Sequence, residues 1–178
     1  MRVLKRMTVS VPITCSHASS LSLLRAPALQ RLAERMAHHN VRVVALPLTN
    51  GWLLGRQDFC TPLRRPLAPI RQLQRAGVCV AVGGDNVQDP WFPAGNFDPL
   101  ALIAASLTQA QLAPWERLGL SPFTTAAARL MELEWDGVFR VGAPADAMQL
   151  SVHSWADALA APPERRLLVR GVWVQDST

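Results

Sequence analysis

The sequence lacks tyrosine, contains a single lysine at Lys5, and has only three cysteines among 178 residues. The cysteines show no CxxC spacing, which argues against a disulfide framework and favours a reducing compartment. Two of them, Cys15 and Cys79, lie in apolar runs where a thiol is expected to be buried. No apolar stretch approaches the ~20 residues of a membrane span, and no signal peptide is recognisable. We therefore expect a cytoplasmic protein that does not bind membranes.

Compact catalytic motifs are missing as well. The sequence contains no HxH, HExxH, Walker or GxGxxG pattern, and it lacks the paired HxE and PCxxC signature of the cytidine-deaminase type of zinc enzyme. The formal charge of +5 comes almost wholly from arginine. Its densest pairs, Arg64-Arg65 and Arg165-Arg166, have no interleaved aromatic residues, so we expect no nucleic-acid binding.

What remains is a chain rich in apolar residues, 49% of the total, with 17% charged residues. Such a composition is typical of a globular domain with a real core. Apolar periodicity predicts strands alternating with helices, which implies parallel strands joined by crossovers. The predicted elements are a strand over 7–15, a helix over 28–39, a strand over 41–46, a long loop over 49–62, a helix over 69–77, a strand from 78, and helices within 99–111 and 121–133.

The pattern changes near residue 134. Beyond it, short segments over 137–140, 142–146, 147–152 and 167–174 resemble antiparallel strands, and a short helix is expected over 154–159. The sequence therefore predicts two parts, 1–133 and 134–178.

Polar residues follow three of the predicted strands: Ser16-His17, Thr49-Asn50 and Asp85-Asn86. Because carboxyl ends of parallel strands converge on one face, His17 and Asp85 could meet there and act as acid and base. The alternatives are a structural histidine and an Asp-Asn pair that begins a turn. Trp52 and Trp91 similarly fit either stacking on a flat ligand or ordinary packing.

Several stretches carry a recognisable pattern: TCSHASSLS (14–22), ALPLTNGWLLGR (45–56), RRPLAPIRQLQRAGVCVAVGGDNVQDPWFPAGNFDPL (64–100) and the closing GAPADAMQL and RGVWV segments. Together they resemble the cytosine-deaminase-like branch of the metal-dependent amidohydrolase superfamily.

This resemblance implies an α/β fold, namely the second half of a (β/α)8 TIM-type barrel with about three βα units, followed by C-terminal strands of a small β-sandwich. The sixth, seventh and eighth barrel strands would end at His17, Asn50 and Asn86. The family's HxH and further ligands of its divalent metal, zinc or iron, have no match and would lie before Met1. The implied partner is therefore the missing N-terminal half of the barrel.

The resemblance also implies roles for single residues. Asp85 matches a metal-ligating aspartate that takes a proton from the attacking water, and His17 matches the histidine that orients this water. Asn86 and Trp91 fall where the family lines its substrate pocket. Asn86 stands where cytosine deaminase often has a second aspartate, and Gly84 replaces a larger residue. The implied function of the parent protein is hydrolytic deamination of cytosine or a related heterocyclic amine, and this chain alone is expected to be inactive. A non-catalytic remnant, or one half of a split enzyme able to associate through open strand edges, is the alternative.

Overall fold

The computed structural model describes residues 11–174, which form two small sheets and six α-helices. The elements in chain order are β1 (Ile13–Ser16), α1 (Ala26–His38), β2 (Val41–Ala45), α2 (Pro47–Leu53), α3 (Ile70–Arg75), β3 (Val80–Val82), α4 (Pro99–Ala110), α5 (Thr125–Leu130), β4 (Ala147–Leu150), α6 (Trp155–Ala160), β5 (Arg165–Val169) and β6 (Val172–Trp173). Single 3₁₀ turns cover Ser19–Leu23 and Ser121–Phe123. The predicted strand over 7–15 falls partly outside the described residues.

The first sheet is parallel, with the strand order β1-β2-β3. Ile13 lies opposite Val41, and Val43 lies opposite Val80, so β2 is paired on both sides. The expected α/β class is confirmed. The expectation that Cys15 is buried is wrong, since its thiol is exposed. In the described part of the chain β1 pairs with β2 alone, which leaves its other edge uncovered.

The core lies between this sheet and the helices that follow its strands. Helix α1 buries Leu29, Ala33 and Met36, which recur at intervals of four and three residues as an amphipathic helix requires. Leu73 of α3 is completely buried in the same cluster. Gly77, with φ of 89°, lies two residues beyond α3, as expected for a glycine after a helix end.

The predicted loop over 49–62 is wrong in its first part, because Pro47–Leu53 forms helix α2. Pro47 occupies the first helical position, where its fixed φ favours helix and its missing N–H costs nothing. Gly51 is buried, and a methyl group added to it would lie 2.2 Å from the Gln109 side-chain oxygen. This close packing of α2 on α4 stabilises a helix whose composition resembles a turn.

The second sheet is antiparallel, with the order β4-β5-β6. It confirms the antiparallel pairing expected near the C-terminus, but the predicted strands over 137–140 and 142–146 are wrong. The Asp136 carboxylate accepts hydrogen bonds from the Val138 amide and the Arg140 guanidinium, which closes a local turn in place of a strand. The boundary at residues 133 and 134 stays a prediction.

An ion pair joins the second sheet to helix α4. Arg165 of β5 donates to both oxygens of Asp98, at 2.9 and 2.6 Å, and the same carboxylate accepts from the Leu100 amide and caps α4. Hydrogen bonding from Arg165 lowers the pKa of Asp98 below its usual range. None of the helices between residues 11 and 174 is long and apolar enough to cross a bilayer.

Candidate functional site

The carboxyl ends of the three parallel strands share one edge of the first sheet, which we call the strand-end edge. His17 directly follows β1, α2 begins two residues after β2, and Asp85 lies three residues beyond β3. The polar residues that the sequence places after strands therefore converge on the same side of the sheet.

His17 is exposed and has a positive φ of 61°. Its Nδ1 lies 2.9 Å from the side-chain oxygen of Asn50, which is only 3% exposed. With an amide oxygen facing the ring, Nδ1 must carry a hydrogen, because this oxygen can only accept. In a neutral imidazole the other nitrogen, Nε2, then has a free lone pair.

Asn50 was recognised in the sequence as a polar residue after a strand, but its partner was not. It is the fourth residue of α2, and the residue before it, Thr49, accepts a hydrogen bond of 3.3 Å from the Asn86 backbone amide. Consecutive helical residues point about 100° apart, so the two side chains reach opposite neighbours. Helix α2 thus links His17 after β1 to Asn86 after β3. Pro47, a residue favoured at the first position of a helix, was the sequence signal that could have indicated α2.

Asp85 is exposed and adopts a positive φ of 60°, a conformation that aspartate tolerates better than most residues. None of the four ion pairs found among residues 11–174 involves it. Of the two glycines before Asp85, only Gly83 is closely packed. A methyl group on Gly83 would lie 3.1 Å from Leu46, whereas one on Gly84 would meet nothing within 4 Å.

Asp89 organises the turn that follows. One of its oxygens accepts from the backbone amides of Trp91 and Phe92 at 2.9 and 2.8 Å, and the other accepts from the Asn86 side chain. The Asn86 hydrogen bond is the main cause that lowers the pKa of Asp89, followed by the bond from Phe92. The side-chain nitrogen of Asn86 is thereby engaged, and its carbonyl oxygen has no partner within residues 11–174. Sequence reasoning gave Asp89 no role, although Asp-Pro is a turn signal.

The two candidate stacking residues differ. Trp52 packs edge-on against Phe92, with ring centroids 6.5 Å apart, and the Arg56 guanidinium lies 4.7 Å from its ring centre. Trp91 is 63% exposed. Packing therefore accounts for Trp52, while Trp91 presents an exposed aromatic surface.

A cavity of about 350 Å³ adjoins the end of β3. Asp85, Asn96, Phe97 and Asp98 are among its lining residues, but His17 is not. Its volume is at the lower end of the range found for ligand sites. The described residues thus place Asp85 beside a cleft and leave His17 outside it.

Comparison with known proteins decides the family. A sequence model described as "Amidohydrolase family" matches residues 3–178. The chain belongs to the amidohydrolase family. The resemblance inferred from the sequence motifs is thereby confirmed.

Relatives of this amidohydrolase chain include deaminases. It is 28% identical over 158 residues to a pterin deaminase of Rhizobium rhizogenes, covering 89% of this chain and 36% of the relative. Among solved structures it is similar to N-isopropylammelide isopropylaminohydrolase from Burkholderia multivorans, with 28% identity and a TM-score of 0.70 over 90% of this chain and 38% of the other.

The fold is also similar to that of 5-methylcytosine deaminase from Klebsiella pneumoniae, with a TM-score of 0.78 and 24% identity over 93% of this chain and 40% of that one. In each comparison the amidohydrolase chain spans well under half of the relative.

Amidohydrolases generally use a divalent metal, so we tested whether the described residues fit one. No group of three or more histidine, cysteine, aspartate or glutamate side chains within residues 11–174 could hold a metal ion. A catalytic zinc site takes three protein ligands, and Asp85 supplies a single carboxylate. The residues described here therefore do not form a metal site by themselves.

Proposed function

We propose that this chain forms part of an enzyme that hydrolyses an exocyclic amine from cytosine or a related amino-substituted nitrogen heterocycle. The observation that carries the proposal is the placement of His17 and Asp85 after neighbouring parallel strands on the strand-end edge, where α2 contacts both His17 and Asn86, the residue after Asp85. The deaminases among its relatives support the reaction class.

In this reaction water adds to the ring carbon that bears the amino group, the carbon–nitrogen bond breaks, and ammonia leaves as a carbonyl group forms. The water must lose both protons by the time the carbonyl group has formed: one is taken up by the adjacent ring nitrogen and the other by the departing amino nitrogen, which leaves as ammonia. The exposed Asp85 carboxylate is the group on this chain suited to accept and return a proton. His17, with Nδ1 bonded to Asn50, offers Nε2 as an acceptor that orients the water.

Substrate recognition is assigned to Asn86 and Trp91. The Asn86 carbonyl oxygen accepts a hydrogen bond from a ring N–H or amino group, while its nitrogen stays bonded to Asp89. The exposed face of Trp91 stacks on a flat ring. Asn86 carries an amide where cytosine deaminase often has a carboxylate, and an amide favours binding to the edge of a neutral ring. Pterins and triazines are therefore candidate substrates beside cytosine.

The assembled enzyme needs more than this chain. We assign residues 1–133 to the second half of a (β/α)8 barrel and 134–178 to part of a β-sandwich. The uncovered edge of β1 fits an N-terminal half of the barrel that pairs with it and supplies the remaining metal ligands beside Asp85. The same edge fits self-association, and a cytoplasmic location agrees with the reduced cysteines.

The test combines this chain with its N-terminal half, either in the native full-length protein or as two co-expressed chains. Ammonia release is measured with cytosine, isocytosine, creatinine, a pterin and an amino-triazine. We expect turnover of at least one heterocycle and its loss in Asp85→Ala. Gly84→Ala is a matched control next to Asp85, because the added methyl group has open space.

Turnover that persists in Asp85→Ala contradicts the assignment of Asp85. If the assembled protein binds metal but releases no ammonia from any of these compounds, the chain is a non-catalytic remnant and the proposed function is wrong.

A further inference from the structure

We propose that Asn50 is a positioning residue whose buried amide oxygen holds His17 in the tautomer with hydrogen on Nδ1 and a free Nε2. The catalytic meaning of this inference rests on the proposed function. Its physical content, the tautomer of one histidine, can be measured without any activity.

The geometry gives the exposed ring a rigid anchor. His17 lies on the surface after an edge strand, where packing does little to fix an imidazole. Asn50 is 3% exposed and belongs to a helix packed on α4, so its oxygen has a defined position 2.9 Å from Nδ1. Thr49 on the same helix fixes the opposite strand end through Asn86.

The unused half of the Asn50 amide strengthens this interpretation. Its side-chain nitrogen is buried and has no hydrogen-bond partner among residues 11–174. A buried polar group without a partner destabilises a fold, so a small apolar side chain would serve packing better at this position. The hydrogen bond to His17 supplies the reason for an amide here.

The tautomer decides what the ring offers at the strand-end edge. With hydrogen on Nδ1, a neutral His17 presents a lone pair on Nε2 and accepts a hydrogen bond from water. With hydrogen on Nε2, the ring would present a donor and could not accept there. Asn50 therefore selects the acceptor form.

The experiment reads the ring nitrogens of the ¹⁵N-labelled chain by long-range ¹H–¹⁵N spectra, at a pH where the imidazole is neutral. The chain has four histidines, and His17→Gln identifies the relevant signals. We expect the Nδ1–H pattern in the wild type, its loss in Asn50→Ala, and a protonated Nδ1 in Asn50→Asp, which keeps an acceptor. Ser106→Ala is the control, because it removes another buried unpartnered polar atom, on the helix that packs against α2.

A wild-type His17 with hydrogen on Nε2 overturns the proposal without any variant, so the test survives even if Asn50→Ala fails to fold. An unchanged tautomer in a folded Asn50→Ala protein overturns it too. In the assembled enzyme, Asn50→Ala should lower kcat by about tenfold or more and leave KM nearly unchanged. If no ammonia is released by any form while the tautomer result holds, the proposed function fails and the role of Asn50 stands.

Discussion

Replacing Asn50 by alanine should change the free energy of unfolding by between about −0.5 and about +1.5 kcal/mol, although the residue is almost completely buried. The lost hydrogen bond to His17 costs about 1 kcal/mol, and the lost packing costs about as much again. Removing the unpartnered side-chain nitrogen returns about 1–3 kcal/mol, and alanine is the better helix former by about 0.5 kcal/mol. The opposing contributions nearly cancel.

Urea unfolding followed by the fluorescence of the six tryptophans measures this change. The reference variant is Leu73→Ala, because Leu73 is 0% exposed and its truncation leaves a cavity that should cost about 2–5 kcal/mol. The slope of the unfolding free energy against urea should stay the same in both variants, which shows that the folded state keeps its compactness.

If Asn50→Ala loses as much stability as Leu73→Ala, the reasoning is wrong. Such a loss would mean that the amide nitrogen is satisfied and that Asn50 serves the fold rather than the orientation of His17. A gain in stability of more than about 2 kcal/mol would instead show that the hydrogen bond to His17 contributes little to the folded state.

Two further predictions concern the segments at the two ends of helix α4. Gly119→Ala should destabilise the chain by about 3 kcal/mol or more, because the added methyl carbon would lie 1.7 Å from the Ala113 backbone oxygen, whereas Gly84→Ala should leave the melting temperature nearly unchanged. Since the pKa of folded Asp98 is lowered, its ionisation stabilises the fold fully above the ordinary value of 3.8, and this contribution is lost as the pH falls from there through the lowered pKa. Asp98→Asn keeps the helix cap, so it should be less stable than the wild type by a constant free energy of unfolding at neutral pH. In acid-unfolding curves this difference should vanish at low pH. A difference in unfolding free energy that does not depend on pH would refute the ion-pair explanation.

Much of the first sheet could be predicted because its local signals agree with its tertiary environment. The near-continuous apolar run of β2, interrupted by Arg42, predicts a buried strand, and the apolar residues of α1 recur at helical intervals. Helix α2 could not be predicted in the same way, since Thr49, Asn50 and Gly51 are typical turn residues. Its stability comes from the packing of Gly51 on α4, and packing between distant segments leaves no local sequence signal.

The candidate site likewise has one part that could be predicted from the sequence and one part that could not. Parallel strands were enough to place His17 and Asp85 at one edge, because the direction of the chain fixes where each strand ends. The hydrogen bond between His17 and Asn50 could not be predicted, because it depends on the direction in which each side chain of α2 points. The Asp89 turn lay within reach of sequence reasoning, since aspartate before proline commonly accepts from amides two and three residues on.

The distribution of burial at the strand-end edge bears on how the site works. The residues that hold the edge together, Thr49 and Asn50, are 1% and 3% exposed, whereas His17 and Asp85 are exposed. This inner pair contacts the exposed His17 ring on one side and the backbone amide of Asn86, the residue after Asp85, on the other. Because the inner pair belongs to one helix, a displacement of α2 moves His17 and Asn86 together and preserves their relation. A substitution that displaces α2 should therefore impair both strand ends at once, whereas Asn50→Ala, which removes one contact, should affect only the His17 side, and a substitution at Asp89 only the Asn86 side.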